Sequence, residues 1–289
     1  MLGRFLGRWG FPALPIAFAA VFVLTPLALT IVVSFWTRVG LVVRPAFTFT
    51  SYAAFFAGAR LLVLERSLIA SIEATALSLL LAYPIAYFLA FKASPRAART
   101  VLLLFTVPFL VNYIIRAFAW TWLLGRTGLI NALLIATGLT SKPLDWLLYS
   151  DVAVLIGLVT SYMPFMIFPL WVSLAGIDRR LIQASWTLGA PPARTFLHVT
   201  LPLSLPGVFA AAIFSFVSCF GESAIPVVMG GVGYQMMGNS IASAMDVLNY
   251  PLAAAISTVV LVTMMGLLLL WYVVFDARAF LGMILRPRG

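Results

Sequence analysis

Charge is scarce in this chain: 9% of its 289 residues are Asp, Glu, Lys or Arg, where an ordinary globular domain carries roughly 25%. With 63% hydrophobic residues, a soluble fold of this length has too few polar side chains to cover its surface, and the bilayer is the natural solvent. There is one cysteine, Cys219, which excludes an internal disulfide and a cysteine-based metal site. There is one histidine, His198, which excludes a multi-histidine centre, and no metal or other cofactor is expected in the chain. The phosphate-cradling pattern Gly-x-x-x-x-Gly-Lys-Ser/Thr is missing, so ATP is not bound by that route. The apolar runs hold no lysine and no clustered histidines, which argues against an intramembrane hydrolase. The net charge of +10 is spread over short loops. It forms no basic face with interleaved aromatics, so nucleic acid is not an expected partner.

What the chain does have is long apolar runs. A membrane-spanning helix needs about 20 predominantly apolar residues, and six stretches qualify: 12–36, 68–91, 101–124, 152–174, 205–229 and 252–275. The runs are continuous and do not alternate, so they read as helices and not barrel strands. The expected fold is an all-α membrane protein with a single transmembrane domain over 1–289. The first run is long enough to span and lacks an Ala-x-Ala exit, so no cleavable leader is expected. With the N-terminus inside, the cytoplasmic segments hold eleven Lys and Arg against six outside, leaving aside Arg116 within a span. That excess places both termini in the cytoplasm. The first external loop, 37–66, mixes Phe47, Phe49, Tyr52, Phe55 and Phe56 and reads as a short amphipathic helix at the membrane surface.

The loop 178–202, between the fourth and fifth spans, differs from the others. Apolar positions recur at helical spacing from Leu181, Gly189 breaks the run, and Pro191-Pro192 opens a second short helix running to Val199. Pro202 and Pro206 then mark the entry to the fifth span. The result is a helix–glycine–helix elbow, too short to span twice. Small residues at Ala184 and Ser185 would let another backbone approach closely. This elbow resembles the cytoplasmic loop of type I, binding-protein-dependent ABC importer permeases. The family pattern there is Glu-Ala-Ala, three residues, Gly, nine residues, Ile, one residue, Leu-Pro. Ala184, Gly189, Leu201 and Pro202 match it outright, and Gln183, Ser185 and Val199 are small departures. Length, six spans, and the segments around Asp178 and Thr200 resemble the spermidine/putrescine branch of that family.

The resemblance implies a bacterial inner-membrane permease that is not itself an enzyme. It implies that Gln183, Ala184, Ser185, Gly189, Val199, Leu201 and Pro202 form coupling helices seated on an ABC ATPase dimer, where ATP and Mg are bound. A second homologous permease (a heterodimer rather than a homodimer), an external periplasmic solute-binding protein and membrane lipid are the implied partners. The implied solute is polyamine-like or another small molecule. The other class open to such a chain is an ion-gradient-driven secondary transporter, but no internal repeat between halves is evident.

Ionisable groups at membrane depth are costly and therefore pathway candidates. Glu222 sits in Phe220-Gly-Glu-Ser-Ala-Ile-Pro226, where Gly221 and Pro226 loosen the helix. It either attracts a cationic solute or serves as a structural partner, for example to Arg116. Arg116 shares its span with Trp120 and either holds an anion or neutralises a glutamate. Glu73, grouped with Ser71, Thr75 and Ser78 in a polar patch, either lines the pathway or knits helices together.

Overall fold

The computed structural model describes residues 2–274, with side chains described from Phe18 onward apart from those at 108–110, 113 and 274. Arg278, Arg286 and Arg288, the last position of the sixth expected span and the side chains of Arg4 and Arg8 lie outside that description. The chain packs as two compact units. Among the described residues, one runs up to Leu62 and adds Ser240–Gly266; the other is Val63–Asn239 with residues 267–274.

The first unit opens with helix α1 (Leu2–Ser34). A hairpin of strands β1 (Thr37–Val39) and β2 (Val42–Arg44) follows, pairing Thr37 with Arg44 and Val39 with Val42. Gly40, at φ +63°, takes the first turn position, which a two-residue hairpin reserves for positive φ. Helix α2 (Thr50–Phe56) is short and buries Ser51 and Phe55. The 37–66 segment is therefore a hairpin, a two-turn helix and, from Arg60, the start of the long helix Arg60–Phe91, not the single surface helix expected. Phe35, Phe47, Phe49 and Tyr52 stack or meet edge-on at centroid distances of 4.8–6.2 Å, and this cluster ties the hairpin to the end of α1. The end of helix α12 (Met237–Asp246) and most of helix α13 (Tyr250–Val274) complete this unit.

The second unit is built on helices α3 (Arg60–Phe91, from Val63 on) and α4 (Pro95–Leu110). Helices α5 (Tyr113–Leu124), α6 (Leu129–Ala136) and α7 (Asp151–Ala175) follow. Next come α8 (Arg179–Thr187), α9 (Pro192–Thr195), a π-helical turn at Phe196–Thr200, α10 (Leu201–Phe220) and α11 (Ala224–Met229). Helix α7 is its axis. Met166, Ile167, Leu170 and Leu174 of α7 are fully buried against Ala82 and Ala86 of α3 and Ala211 of α10. Toward the other end Val154 and Leu158 pack with Ile225 and Met229 of α11. Lipid tails are as apolar as leucine, so these contacts gain from close fit more than from leaving water. Small residues set that fit. A Cβ on Gly207 of α10 would meet the Ser173 side chain and lie 2.7 Å from the Pro169 carbonyl oxygen of α7.

Among the described residues, five helical stretches are long and apolar enough to cross a membrane: Arg60–Phe91, Ile114–Ala136, Asp151–Ala175, Pro192–Phe220 and Tyr250–Val273. A shorter apolar stretch, Phe18–Ser34, ends α1. The expected run 101–124 is broken. Val111 is extended, and Asn112 caps α5 by accepting the Ile114 N–H at 2.8 Å, because a short polar side chain competes with the helical backbone for its own amides. The apolar run resumes through the turn at 125–128 into α6. There Asn131, fully buried, donates to the Gly125 carbonyl at 2.9 Å and accepts from the Leu144 N–H at 2.8 Å.

Candidate solute pathway and coupling elbow

The elbow is built from caps. The Asp178 carboxylate accepts the Arg180 N–H at 2.9 Å and starts α8. Gly189 ends it at φ +79°, with the Ala190 N–H returning to the Ser185 carbonyl at 3.1 Å, the six-to-one bond of a glycine-terminated helix. Most side chains other than asparagine cost about 1–2 kcal/mol there in backbone strain. Pro191 and Pro192 open α9, and Ser185 Oγ meets Thr195 Oγ1 at 2.9 Å, clamping the two arms. Ile182 and Val199 pack into the core beneath. Gln183, Ala184, Trp186, Leu188 and Gly189 face outward, Leu188 at 86% exposure.

Beyond the elbow the chain departs from expectation. The second arm does not stop at Val199 before a separate span at 205. One continuous helix runs Pro192–Phe220, with the Leu201 N–H bonded to the Phe196 carbonyl across the π-helical turn. The wider ring gives the proline at 202 room without a helix break. Leu201, half-buried, and Pro202, exposed, belong to that helix and not to a loop.

The fifth expected span, 205–229, breaks at residues 221–223 between α10 and α11. Glu222, 7% exposed, turns back over the start of α11. One carboxylate oxygen accepts the N–H groups of Ser223 (2.9 Å), Ala224 (2.8 Å) and Ile225 (3.4 Å), and the other accepts the Tyr162 hydroxyl of α7. A negative charge there suits the positive end of a helix. Arg116 on α5 stands close enough to Tyr162 to act on it electrostatically. Trp120, half-buried, packs in the same apolar cluster as Ile225 and Met229. Glu222, Arg116 and Trp120 thus converge around Tyr162 and α11. Glu73 stands apart: Ser71, Thr75 and Ser78 are buried on one face of α3, while Glu73 is exposed on another. The expected polar patch is therefore two faces, because 71, 75 and 78 fall on one stripe of a 3.6-residue helix and 73 does not.

Two features carried no sequence signal. A Cβ on Gly238 would lie 2.5 Å from the Gly221 carbonyl oxygen, so the backbone at 238 covers the broken turn. Nearby, Tyr234 donates to Asp151 at 2.8 Å beneath the Arg66 guanidinium, 4.9 Å from the ring centroid. Burial, then the bond to Asp151, holds the Tyr234 hydroxyl well above the usual phenol range. Asn239 accepts the Met236 N–H at 2.6 Å and Ser67 accepts the Met237 N–H at 2.8 Å, fastening the 231–239 segment to α3. A cluster of titratable and polar side chains at one end of the spans was invisible because its members lie far apart in the chain.

Long apolar helices, buried ionisable groups among them and an exposed helical elbow are the features of a polytopic membrane protein. Residues 82–280 match the family described as binding-protein-dependent transport system inner membrane component. The spermidine/putrescine transport system permease protein PotB of Haemophilus influenzae is 34% identical over 87% of this chain and 88% of its own length. PotB of Escherichia coli is 32% identical over 89% and 93%. The fold is that of one chain in the crystal structure of a bacterial alginate ABC transporter in complex with an alginate pentasaccharide-bound periplasmic protein. The TM-score is 0.75 at 14% identity, covering 92% of this chain and 94% of that one. The chain belongs to the binding-protein-dependent transport family: it is an ABC importer permease, a multi-pass bacterial inner-membrane protein, and a transport subunit rather than an enzyme.

Proposed function

We propose that this permease forms half of a pathway for small polyamine-like cations. A second, non-identical permease forms the other half, an external binding protein delivers the solute, and a separate subunit binds and hydrolyses ATP with its Mg. Both termini are cytoplasmic in this reading, supported by the Lys and Arg bias of the loops. The solute class rests on the spermidine/putrescine relatives that are 32–34% identical over nearly nine-tenths of the chain.

The observation that carries the coupling is the elbow. An apolar knob of Ala184, Trp186 and Leu188 is left exposed beyond the spans, and its two arms are clamped by Ser185 and Thr195 and seated on Ile182 and Val199. Such a knob presents Ala184 and Gly189 to a cleft on the ATPase, while Leu201 and Pro202 pass the motion into α10. Within the membrane, Glu222 serves as the cap that fixes α11 beside Arg116 and Trp120, since its oxygens already hold amides and a phenol. Glu73 is exposed on α3 in the single chain. A carboxylate so placed requires water or a partner chain, and it lines the face toward the second permease.

The test uses the assembled importer in proteoliposomes with its binding protein. Gly189→Asn keeps the left-handed residue and retains uptake within about twofold, because asparagine tolerates positive φ. Gly189→Trp assembles in the membrane but loses most binding-protein-stimulated ATP hydrolysis and spermidine uptake. Normal uptake by Gly189→Trp at normal abundance overturns the coupling role, and a complex that imports no polyamine while importing another solute overturns the substrate class.

A further inference from the structure

A groove of about 790 Å³ lies between the ends of α3, α4 and α7 and the first residue of α8, and none of the residues assigned to the pathway or to coupling lines it. Three cations line its mouth: Lys92 in the turn after α3, Arg99 on α4 and Arg179 at the start of α8. No carboxylate lies among its lining residues. Arg179 donates one N–H to the Ala90 carbonyl at 3.0 Å, which holds the guanidinium beside the mouth; a guanidinium has five donors. Behind the cations the lining turns apolar and aromatic, with Leu102, Phe168 and Trp171, and it reaches Thr106. From Pro95 to Thr106 the rise along α4 is about 17 Å, the scale of an acyl chain.

We infer that this groove is a binding site for an anionic phospholipid of the cytoplasmic leaflet, phosphatidylglycerol being the simplest example. The headgroup phosphate sits among Lys92, Arg99 and Arg179, and one acyl chain lies along α4 against Phe168 and Trp171. The chemistry follows from the arrangement. Three cations without a counter-charge select an anion, and an apolar trough leading into the bilayer selects an anion with a hydrocarbon tail. A soluble phosphate has no use for the trough, and a zwitterionic lipid leaves the cations uncompensated. Basic pockets between helices at the cytoplasmic side are suited to such headgroups. The leaflet rests on the orientation proposed above; the lipid class does not.

The experiment is native mass spectrometry and tryptophan-quenching titration of the assembled importer in nanodiscs, where both faces meet both lipids and orientation drops out. Brominated phosphatidylglycerol is expected to quench and to remain bound, while brominated phosphatidylethanolamine does neither. At about 1 kcal/mol per basic residue near the surface, Lys92→Gln with Arg99→Gln weakens phosphatidylglycerol by about thirtyfold. Thr106→Trp obstructs the trough without touching the charges and also displaces the lipid. Arg96→Gln, on the same turn but not lining the groove, leaves binding unchanged. Equal binding of the two lipids, an equal loss in Arg96→Gln, or displacement of the lipid by millimolar inorganic phosphate overturns the proposal. So does binding that appears only when the ATPase is removed, which makes the groove a protein interface.

Discussion

Glu222 offers the sharpest test of what a carboxylate at membrane depth does here. It is buried, and it accepts two well-placed backbone N–H groups at 2.8 and 2.9 Å together with the Tyr162 hydroxyl. Each hydrogen bond to a charged acceptor is worth about 1.5–3 kcal/mol, and a buried donor left without a partner costs about 1–3. The three bonds share one group and do not add fully, so Glu222→Ala is expected to destabilise by roughly 3–5 kcal/mol. At a few degrees per kcal/mol this lowers the melting temperature by about 10 °C. Glu222→Gln keeps an acceptor for the amides, and the Tyr162 hydroxyl can rotate to accept from the new amide, so its cost is about 1 kcal/mol. Tyr162→Phe removes a single bond and falls between them, and the Glu222/Tyr162 double-mutant cycle reports their coupling. The assay is thermal unfolding of the assembled importer in nanodiscs at fixed salt and pH, with solute uptake measured in parallel. A Glu222→Ala protein melting within about a degree of the wild type would refute the cap. A Glu222→Gln protein that melts normally yet no longer transports would show that the charge itself serves the solute.

Three further outcomes follow from the packing. Gly207→Leu should drive α7 and α10 apart, since even a Cβ would meet Ser173 and lie 2.7 Å from the Pro169 carbonyl oxygen; overpacking of this kind costs about 1–3 kcal/mol, read as a lower melting temperature, and Gly207→Ala should fall between. Asn131→Ala leaves the Leu144 N–H without its partner, while the Gly125 carbonyl keeps the Gly128 N–H; the cost is about 1–3 kcal/mol, and protease cleavage in the 137–145 segment should accelerate. Glu73→Gln should leave melting nearly unchanged, because the side chain is exposed on α3, while lowering spermidine uptake several-fold if it faces the pathway; unaltered uptake assigns it to a lipid-facing or structural position.

Hydropathy located the apolar stretches because lipid imposes one requirement along every helix, and composition reports that directly. It could not see the interruptions. Asn112 is a single polar residue in an apolar run, and an averaging window dilutes the side chain that caps a new helix just after the break at Val111. The elbow was legible because glycine, tandem proline and helical spacing are local signals, and Gly189 does break the run, at a positive φ. Its continuity into α10 was not legible: Pro202 and Pro206 read as the entry to a separate span, while the π-helical turn accommodates the first of them within one helix. Glu222 was recognisable as an anomaly, though its donors were not. Its bonds to the Ser223, Ala224 and Ile225 amides are open to it only once the helix breaks, and Tyr162 lies 60 residues away in sequence. The grouping of Glu73 with Ser71, Thr75 and Ser78 ignored helical phase, which the sequence did contain.

The π-helical turn at Phe196–Thr200 acts as a phase shifter. An α-helix advances 100° per residue, and a π-helical turn holds about one residue more than an α turn, so the azimuth of α9 is offset from that of α10 by roughly that angle. Thr195 faces Ser185, and Gly207 faces α7, because this offset reconciles two dockings that a uniform helix could not meet together. The segment therefore tolerates changes of side chain far better than changes of count. Removing one residue from it would straighten the rod and swing the elbow about a quarter-turn away from its seat, with every contact residue still present in the sequence.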